Sequence, residues 1–171
     1  MTVAEIVGTT QYLSFTLAEE LYAVEIGKVR EVLDYLKPTK VPRTPGYMLG
    51  VINLRGGAVP VIDMRKRLGM ESTETTVNTC IIIVEVITGT DTVVLGAMAD
   101  SVQEVFDLDA TQIEPSPRIG TQIRTEYLKG MGKHNERFVL LLNIDRVFSD
   151  EEMADLVGSV ESAPENNKAG A

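Results

Sequence analysis

Gly50-Val51-Ile52-Asn53-Leu54-Arg55-Gly56-Gly57-Ala58-Val59-Pro60-Val61-Ile62-Asp63 is the stretch that decides the fold. Two aliphatic runs flank a glycine pair that can supply positive φ, the pattern of a β-hairpin. With the turn centred on Gly56-Gly57, Leu54 faces Val59, Asn53 faces Pro60, Val51 faces Ile62 and Arg55 faces Ala58. A two-residue loop there would place Pro60, which has no N–H, at a hydrogen-bonded site. A four-residue loop over 55–58 keeps the pairing and removes the conflict. Either choice puts Ile52, Leu54, Val59 and Val61 on one apolar face. The other face carries Val51, Asn53, Arg55, Ala58, Pro60 and Ile62. That mixture fits a protein contact. It fits equally a hairpin packed on a second barrel, with Arg55 paired to a carboxylate.

Outward from this hairpin the chain stays rich in strand signals. Residues 10–17 alternate, with Leu13, Phe15 and Leu17 on one face, and 21–26 resume after Glu19-Glu20 as the second strand of a hairpin. Residues 26–33 read as a short helix passing into a strand. Pro38, Pro42, Pro45 and Gly46 punctuate a loop. Asp63 is placed to cap a short helix over 64–68 that Gly69 ends. Residues 71–76 form a polar linker, and the chain is divided near 70–77. Beyond it lie runs over 79–87 and 92–99 around the turn Thr88-Gly89-Thr90-Asp91, and a strand over 102–106. A loop with Pro115, Ser116, Pro117 and Gly120 precedes a last pair, 127–133 and 138–143. Short strands with Gly and Pro turns at this spacing imply an all-β fold of barrels or sandwiches. Ser149 with Glu152 makes a capping box, after which Met153, Leu156, Val157 and Val160 recur at helical spacing. The C-terminal segment, 149–171, is therefore an amphipathic helix followed by a flexible tail from Glu161 onward.

Composition narrows the function. A chain of 171 residues suits one domain or two small barrels. The lone Cys80 forms no intrachain disulfide, reads as a small buried hydrophobe and fits a reducing compartment. Residues 1–8 lack the basic flank of a secretory signal, and no window approaches the roughly 18 apolar residues of a membrane span. A net charge of -9 argues against general nucleic-acid binding. Within residues 28–67, however, nine basic residues face three acidic ones, which reads as a solvated surface or, more sharply, as a basic protein-binding face.

Enzyme chemistry has little to work with. There is one His and one Cys, and His134 falls in Gly132-Lys133-His134-Asn135-Glu136, where it reads as an exposed turn residue rather than a general base or zinc ligand. Asp63 and Asp100 follow matching apolar runs and are explained as capping and turn residues. No phosphate-binding glycine motif occurs. The expectation is a protein with no catalytic residues, metal or cofactor. The alternative is a β-barrel small-ligand sensor or enzyme using a groove between barrels.

Val41-Pro42 and Pro45-Gly46-Tyr47, the run from Gly50 to Gly56, and Val59-Pro60-Val61-Ile62-Asp63-Met64-Arg65 together resemble the signature of the CheW-type coupling proteins of chemotaxis. Val29-Arg30-Glu31-Val32 upstream, the run 96–105 and the pattern Tyr127-Leu128-Lys129-Gly130-Met131-Gly132 extend the resemblance from about Gln11 to Phe148. It implies one CheW-like domain over 10–148 built of two intertwined, packed five-stranded barrels of SH3-like topology. It implies no enzyme activity, and two partners: the cytoplasmic hairpin tip of a chemoreceptor and the regulatory domain of a CheA-type histidine kinase. Such a protein would be cytoplasmic and recruited to membrane receptor arrays through those partners, with neither nucleic-acid binding nor membrane insertion of its own. Carried over by position, Val29, Glu31 and Arg55 are expected at receptor or array contacts, and Gly50 and Gly56 at backbone positions that partner binding depends on. Asn53, on the mixed face, completes the expected protein-binding set.

Overall fold

The computed structural model describes residues 9–89, 91–115 and 125–161. Residues 1–8, Thr90, the 116–124 part of the expected Pro-rich loop and the tail from 162 lie outside them. One sheet contains β1 (Thr9–Leu17), β2 (Glu20–Glu25), β8 (Ser101–Asp109), β9 (Leu128–His134) and β10 (Arg137–Leu142), in the order β8-β1-β2-β10-β9. The other contains β3 (Val29–Asp34), β4 (Met48–Leu54), β5 (Gly57–Asp63), β6 (Cys80–Thr88) and β7 (Asp91–Ala99), in the order β3-β6-β7-β5-β4. These are the two five-stranded SH3-like barrels of an all-β fold. Two helices accompany them: α1 (Met64–Arg67) and α2 (Asp150–Glu161).

The chain changes sheet twice, first through a 3₁₀ turn at Ile26–Lys28 and then at Asp100, between β7 and β8. The polar linker 71–76 does neither. It joins α1 to β6 within the second sheet, so the expected division near 70–77 falls inside one barrel. A polar, exposed connection looks the same in sequence whether it links two strands of one sheet or two domains.

Three apolar layers follow from strand alternation. Ile81 and Ile83 face Ile52, Val59 and Val61 inside the second barrel. Tyr12, Ala23, Phe106, Leu108, Val139 and Leu141 fill the first. Between the barrels, Ile82 and Val84 join Phe15, Tyr22, Val24, Val51, Ile62 and Leu142. The run Ile81-Ile82-Ile83-Val84 is thus buried on both faces, 0–1 % exposed throughout, which is why it is continuously apolar rather than alternating. The gap lined by Phe15, Val24, Met64, Ile82 and Leu142 is about 10 Å³, room for no more than one water. Cys80, at the start of this strand, is half-exposed rather than buried, its thiol 3.1 Å from the Asn78 carbonyl.

The decisive hairpin forms with each partner shifted by two residues. Leu54 lies opposite Gly57, Asn53 opposite Ala58, Ile52 opposite Val59 and Val51 opposite Pro60. The two-residue turn is therefore Arg55-Gly56, both at positive φ (50° and 84°), the type I′ geometry that matches strand twist. Counting from this turn, Val51 and Pro60 form a non-hydrogen-bonded pair. Val51 instead exchanges both backbone bonds with Thr39, at 2.8 and 2.9 Å. The Pro60 constraint is met by moving the turn, not by lengthening it. Because the shift preserves parity, the two faces stand as expected.

The short elements end as their capping residues dictate. Asp63, 1 % exposed, accepts from the N–H groups of Arg65 and Lys66 and from the Ser72 hydroxyl. Gly69, at φ 89°, follows α1. Ser149 and Glu152 form the reciprocal capping box of α2, and Met153 and Leu156 bury its inner face.

The two barrels are built on one plan, which the sheet orders show and the sequence repeats. Val29-Arg30-Glu31-Val32 opens β3, and Val102-Gln103-Glu104-Val105 follows the first residue of β8. Tyr47 and Gly50 recur as Tyr127 and Gly130. The Tyr47 carbonyl accepts from Asp63 N–H and the Tyr127 carbonyl from Asn143 N–H, both at 2.8 Å. Thr39 bridges to Val51 as Glu114 bridges to Met131.

Candidate functional site

The site grows from the Arg55-Gly56 turn. Asn53 Oδ1 accepts from Gly56 N–H at 3.1 Å, fixing the turn from below. Arg55 then reaches across the open side of the barrel to Glu31 on β3, the opposite edge of the same sheet. Its guanidinium binds both carboxylate oxygens, with Nη2 to Oε1 at 3.1 Å and Nη1 to Oε2. Arg55 is 72 % exposed and Glu31 26 %, so the pair is presented on the rim rather than enclosed. The hydrogen bond from Arg55 holds the Glu31 carboxyl below its ordinary range, and the charges of Arg55 and Arg30 add to it against partial desolvation.

The six residues singled out in the sequence divide by role. Glu31, Asn53, Arg55 and Gly56 come together at the rim, two displaying charge and two shaping the turn. Gly50 lies farther down β4 at φ 144°, where a Cβ would stand 2.2 Å from the Thr39 carbonyl oxygen, so its need is backbone approach at the sheet edge. Val29 is half-buried and packs on the inter-barrel core. The mixed face is correspondingly split. Val51 and Ile62 are 2 % and 0 % exposed against the other barrel, while only its tip, at Asn53, Arg55 and Ala58, reaches the surface. Of the two readings that face allowed, barrel packing holds for its base, and the carboxylate partner of Arg55 is Glu31.

The expected basic face is largely neutralised from within. Lys28 pairs with Asp145, Arg30 with Glu85, Arg55 with Glu31, Arg65 with Asp100 and Arg67 with Glu152. Four of these five carboxylates come from outside residues 28–67, so no local charge count could have found them.

Arg67 is the side chain that sequence reasoning missed. It is 11 % exposed and lies between the rings of Tyr47, Tyr127 and Phe148, 4.8–5.3 Å from each centroid. It donates to the Val147 carbonyl, the Tyr127 hydroxyl and both oxygens of Glu152. One residue of the second barrel thereby fastens α2 and the strand-end segment of the first. Arg65 does the same at the crossover, where Asp100 also accepts from Ala18 N–H. Arg67, Tyr127, Phe148 and Glu152 line a polar cleft of about 470 Å³ with Asp145, Arg146 and Asp150. The clustering of Arg65, Lys66 and Arg67 on one helical turn was the available signal.

The first barrel has a counterpart of the rim pair. Glu104, equivalent to Glu31, faces the Asn135-Glu136 turn, and its Oε1 lies 2.7 Å from His134 Nε2 and 3.3 Å from Asn135 Nδ2. His134 is not the exposed turn residue expected. It ends β9, is half-buried, and stacks on Phe106 with ring centroids 4.3 Å apart.

Two intertwined SH3-like barrels that display charged hairpin tips, with a packed seam between them, define a double-barrel β-protein. The CheW-like domain model matches residues 11–152, and the chain belongs to that family. It is 37 % identical to the chemotaxis protein CheW of Klebsiella aerogenes over 156 residues, 90 % of this chain and 92 % of that one. It is 31 % identical to CheW of Bacillus subtilis over 90 % of this chain and 96 % of that one. The crystal structure of the scaffolding protein TtCheW from Thermoanaerobacter tengcongensis superposes with a TM-score of 0.73 at 36 % identity, covering 82 % of this chain and 88 % of the other.

Proposed function

We propose that this protein is a non-enzymatic adaptor of chemotaxis signalling that couples the cytoplasmic hairpin tips of chemoreceptors to the regulatory domain of a CheA-type histidine kinase. The observation that carries the reading is the Glu31–Arg55 pair on the open rim of the second barrel. An exposed bidentate pair is cheap to rearrange, because both groups remain hydrated. It offers a partner a charge of each sign on a rigid type I′ turn. Relatives named chemotaxis proteins and a structural neighbour titled a scaffolding protein support the same assignment. Val29, Glu31, Asn53 and Arg55 are the contact residues in this proposal, with Gly50 and Gly56 acting through the backbone. Among the described residues no helix is long and apolar enough to cross a membrane. The adaptor works from the cytoplasm and meets receptor arrays through its partners.

In such a scaffold, receptor conformation biases kinase activity only to the extent that the adaptor binds the two receptor states differently. The test mixes the full chain with a receptor cytoplasmic fragment and a kinase regulatory domain. Co-sedimentation that weakens on Arg55→Ala is expected. Absence of binding to either component overturns the proposal.

A further inference from the structure

The duplicated plan makes it possible to ask what covers each barrel at equivalent places. On the second barrel, the β5 positions Ala58 and Pro60, beside Asp91, Thr92, Val93 and Val94 of β7, line an open groove of about 420 Å³. The distal half of α2 forms its other wall, through Val157 and Val160, aliphatic side chains spaced i and i+3 on one helical face. On the first barrel, β10 places Phe138 and Leu140 at the positions of Ala58 and Pro60. The equivalence is set by register: Asn53 is opposite Ala58 as Lys133 is opposite Phe138, and Gly50 is opposite Val61 as Gly130 is opposite Leu141. Yet no helix lies there among the described residues.

Phe138 is 61 % exposed. Every other aromatic ring of the chain is buried or half-buried. Leu140, two residues on, is half-buried and continuous with the inter-barrel core. The Lys133 ammonium lies 5.9 Å above the Phe138 ring, a cation at the edge of the apolar patch.

We infer that the Phe138–Leu140 face of the first barrel is a docking surface for an amphipathic helix of a partner, one carrying aliphatic residues at i and i+3 and a carboxylate beside them to meet Lys133. The occupant's chemistry is argued from the molecule itself. The same face of the sister barrel is already bordered by a helix of that kind, whose first turn is Asp150, Glu151 and Glu152. An aromatic in place of Ala58 gives the first barrel a larger apolar contact than the one α2 uses.

The probe is a synthetic peptide with the sequence of residues 149–161, held helical by a hydrocarbon staple at the Ala154 and Gly158 positions. Both are exposed and spaced i, i+4, so the staple leaves the apolar stripe free. Titrated into the ¹⁵N-labelled full chain, it is expected to shift the amides of Lys133, Phe138 and Leu140 saturably. Phe138→Ser should weaken binding at least tenfold with the amide dispersion retained, and Lys133→Glu should weaken it severalfold. Three results overturn the inference: no shifts, shifts confined to Ala58, Pro60 and Val93, or equal shifts from a stapled peptide of scrambled sequence. The assay contains neither receptor nor kinase, so its outcome is independent of the coupling function proposed above.

Discussion

Gly50 and Thr39 meet backbone to backbone: Thr39 exchanges hydrogen bonds with Val51, and a Cβ on Gly50 would lie 2.2 Å from the Thr39 carbonyl oxygen. Gly50 also has φ 144°, a region strained for any L side chain. Gly50→Ala should therefore cost about 3 kcal/mol, read as a fall in urea midpoint with unchanged m-value. Gly130→Ala, whose Cβ would meet the Glu114 carbonyl oxygen at 2.6 Å, should behave alike. Gly56→Ala, with open space around its Cβ, should lose only about 1 kcal/mol through its positive φ. Equal losses at Gly50 and Gly56 would refute the close-approach explanation.

Arg67→Met should cost about 3 kcal/mol, since it leaves Glu152 and the Val147 carbonyl without their shared donor in a largely buried setting. Hydrogen exchange should rise first in α2. Arg67→Lys should rescue little, because an ammonium cannot fork to Glu152 while stacking among three rings. Unchanged protection of Met153 and Leu156 in Arg67→Met would show that α2 docks without this anchor.

Arg55→Ala should move the melting temperature by no more than about 4 °C, because an exposed pair contributes little to folding. It should nevertheless weaken assembly with receptor and kinase fragments. Glu31→Ala should reproduce both effects, and the double variant should be no worse than either single one. A large loss of stability in Arg55→Ala would make the pair a barrel closure instead of a contact.

Acid should loosen the charged seams. The carboxyls of Glu31, Asp100 and Glu152 are all held below their ordinary values. For Asp100 and Glu152, desolvation pushes the other way and is outweighed by hydrogen bonds, from Arg65 and Ala18 N–H in one case and from Ser149 and Arg67 in the other. A depressed folded pKa means stability that is complete above the unfolded carboxylate range and lost as pH falls through the folded values. Melting temperature should thus be flat from pH 7 to about 5 and fall below about 4.5. Asp100→Asn should melt lower at pH 7 and show a shallower acid fall than the parent, which a calorimetric pH series would test.

Much of the fold was readable in the chain because its signals are local. Alternation in residues 10–17, the capping residues Asp63 and Ser149, and the apolar run from Ile81 to Val84 each mark their element without reference to distant residues. The hairpin of residues 50–63 carried both the fold and the rim residues. Its turn lies one residue earlier and its partners two residues away from the expected ones, since glycine at 56 and 57 permits either centre; Pro60, which must avoid a ladder donor site, settles the choice only once Thr39 is seen bonding to Val51. The repeat of Val-Arg-Glu-Val as Val-Gln-Glu-Val was present in sequence, but one match at three positions of four carries weight only after the sheet orders coincide.

The sequence by itself determined an acidic, strand-built chain of the CheW type, the rim turn with Arg55, and the helices with their caps, because periodicity and capping act within a few residues. Only the tertiary structure decided that residues 71–76 divide nothing, that the basic stretch is partly neutralised by Asp145, Glu85, Asp100 and Glu152, that Arg67 fastens the two barrels, and that Phe138 stands exposed on the first barrel. Each of these depends on groups distant along the chain that are brought together by two sheet crossings, at Ile26–Lys28 and Asp100, which no local pattern records.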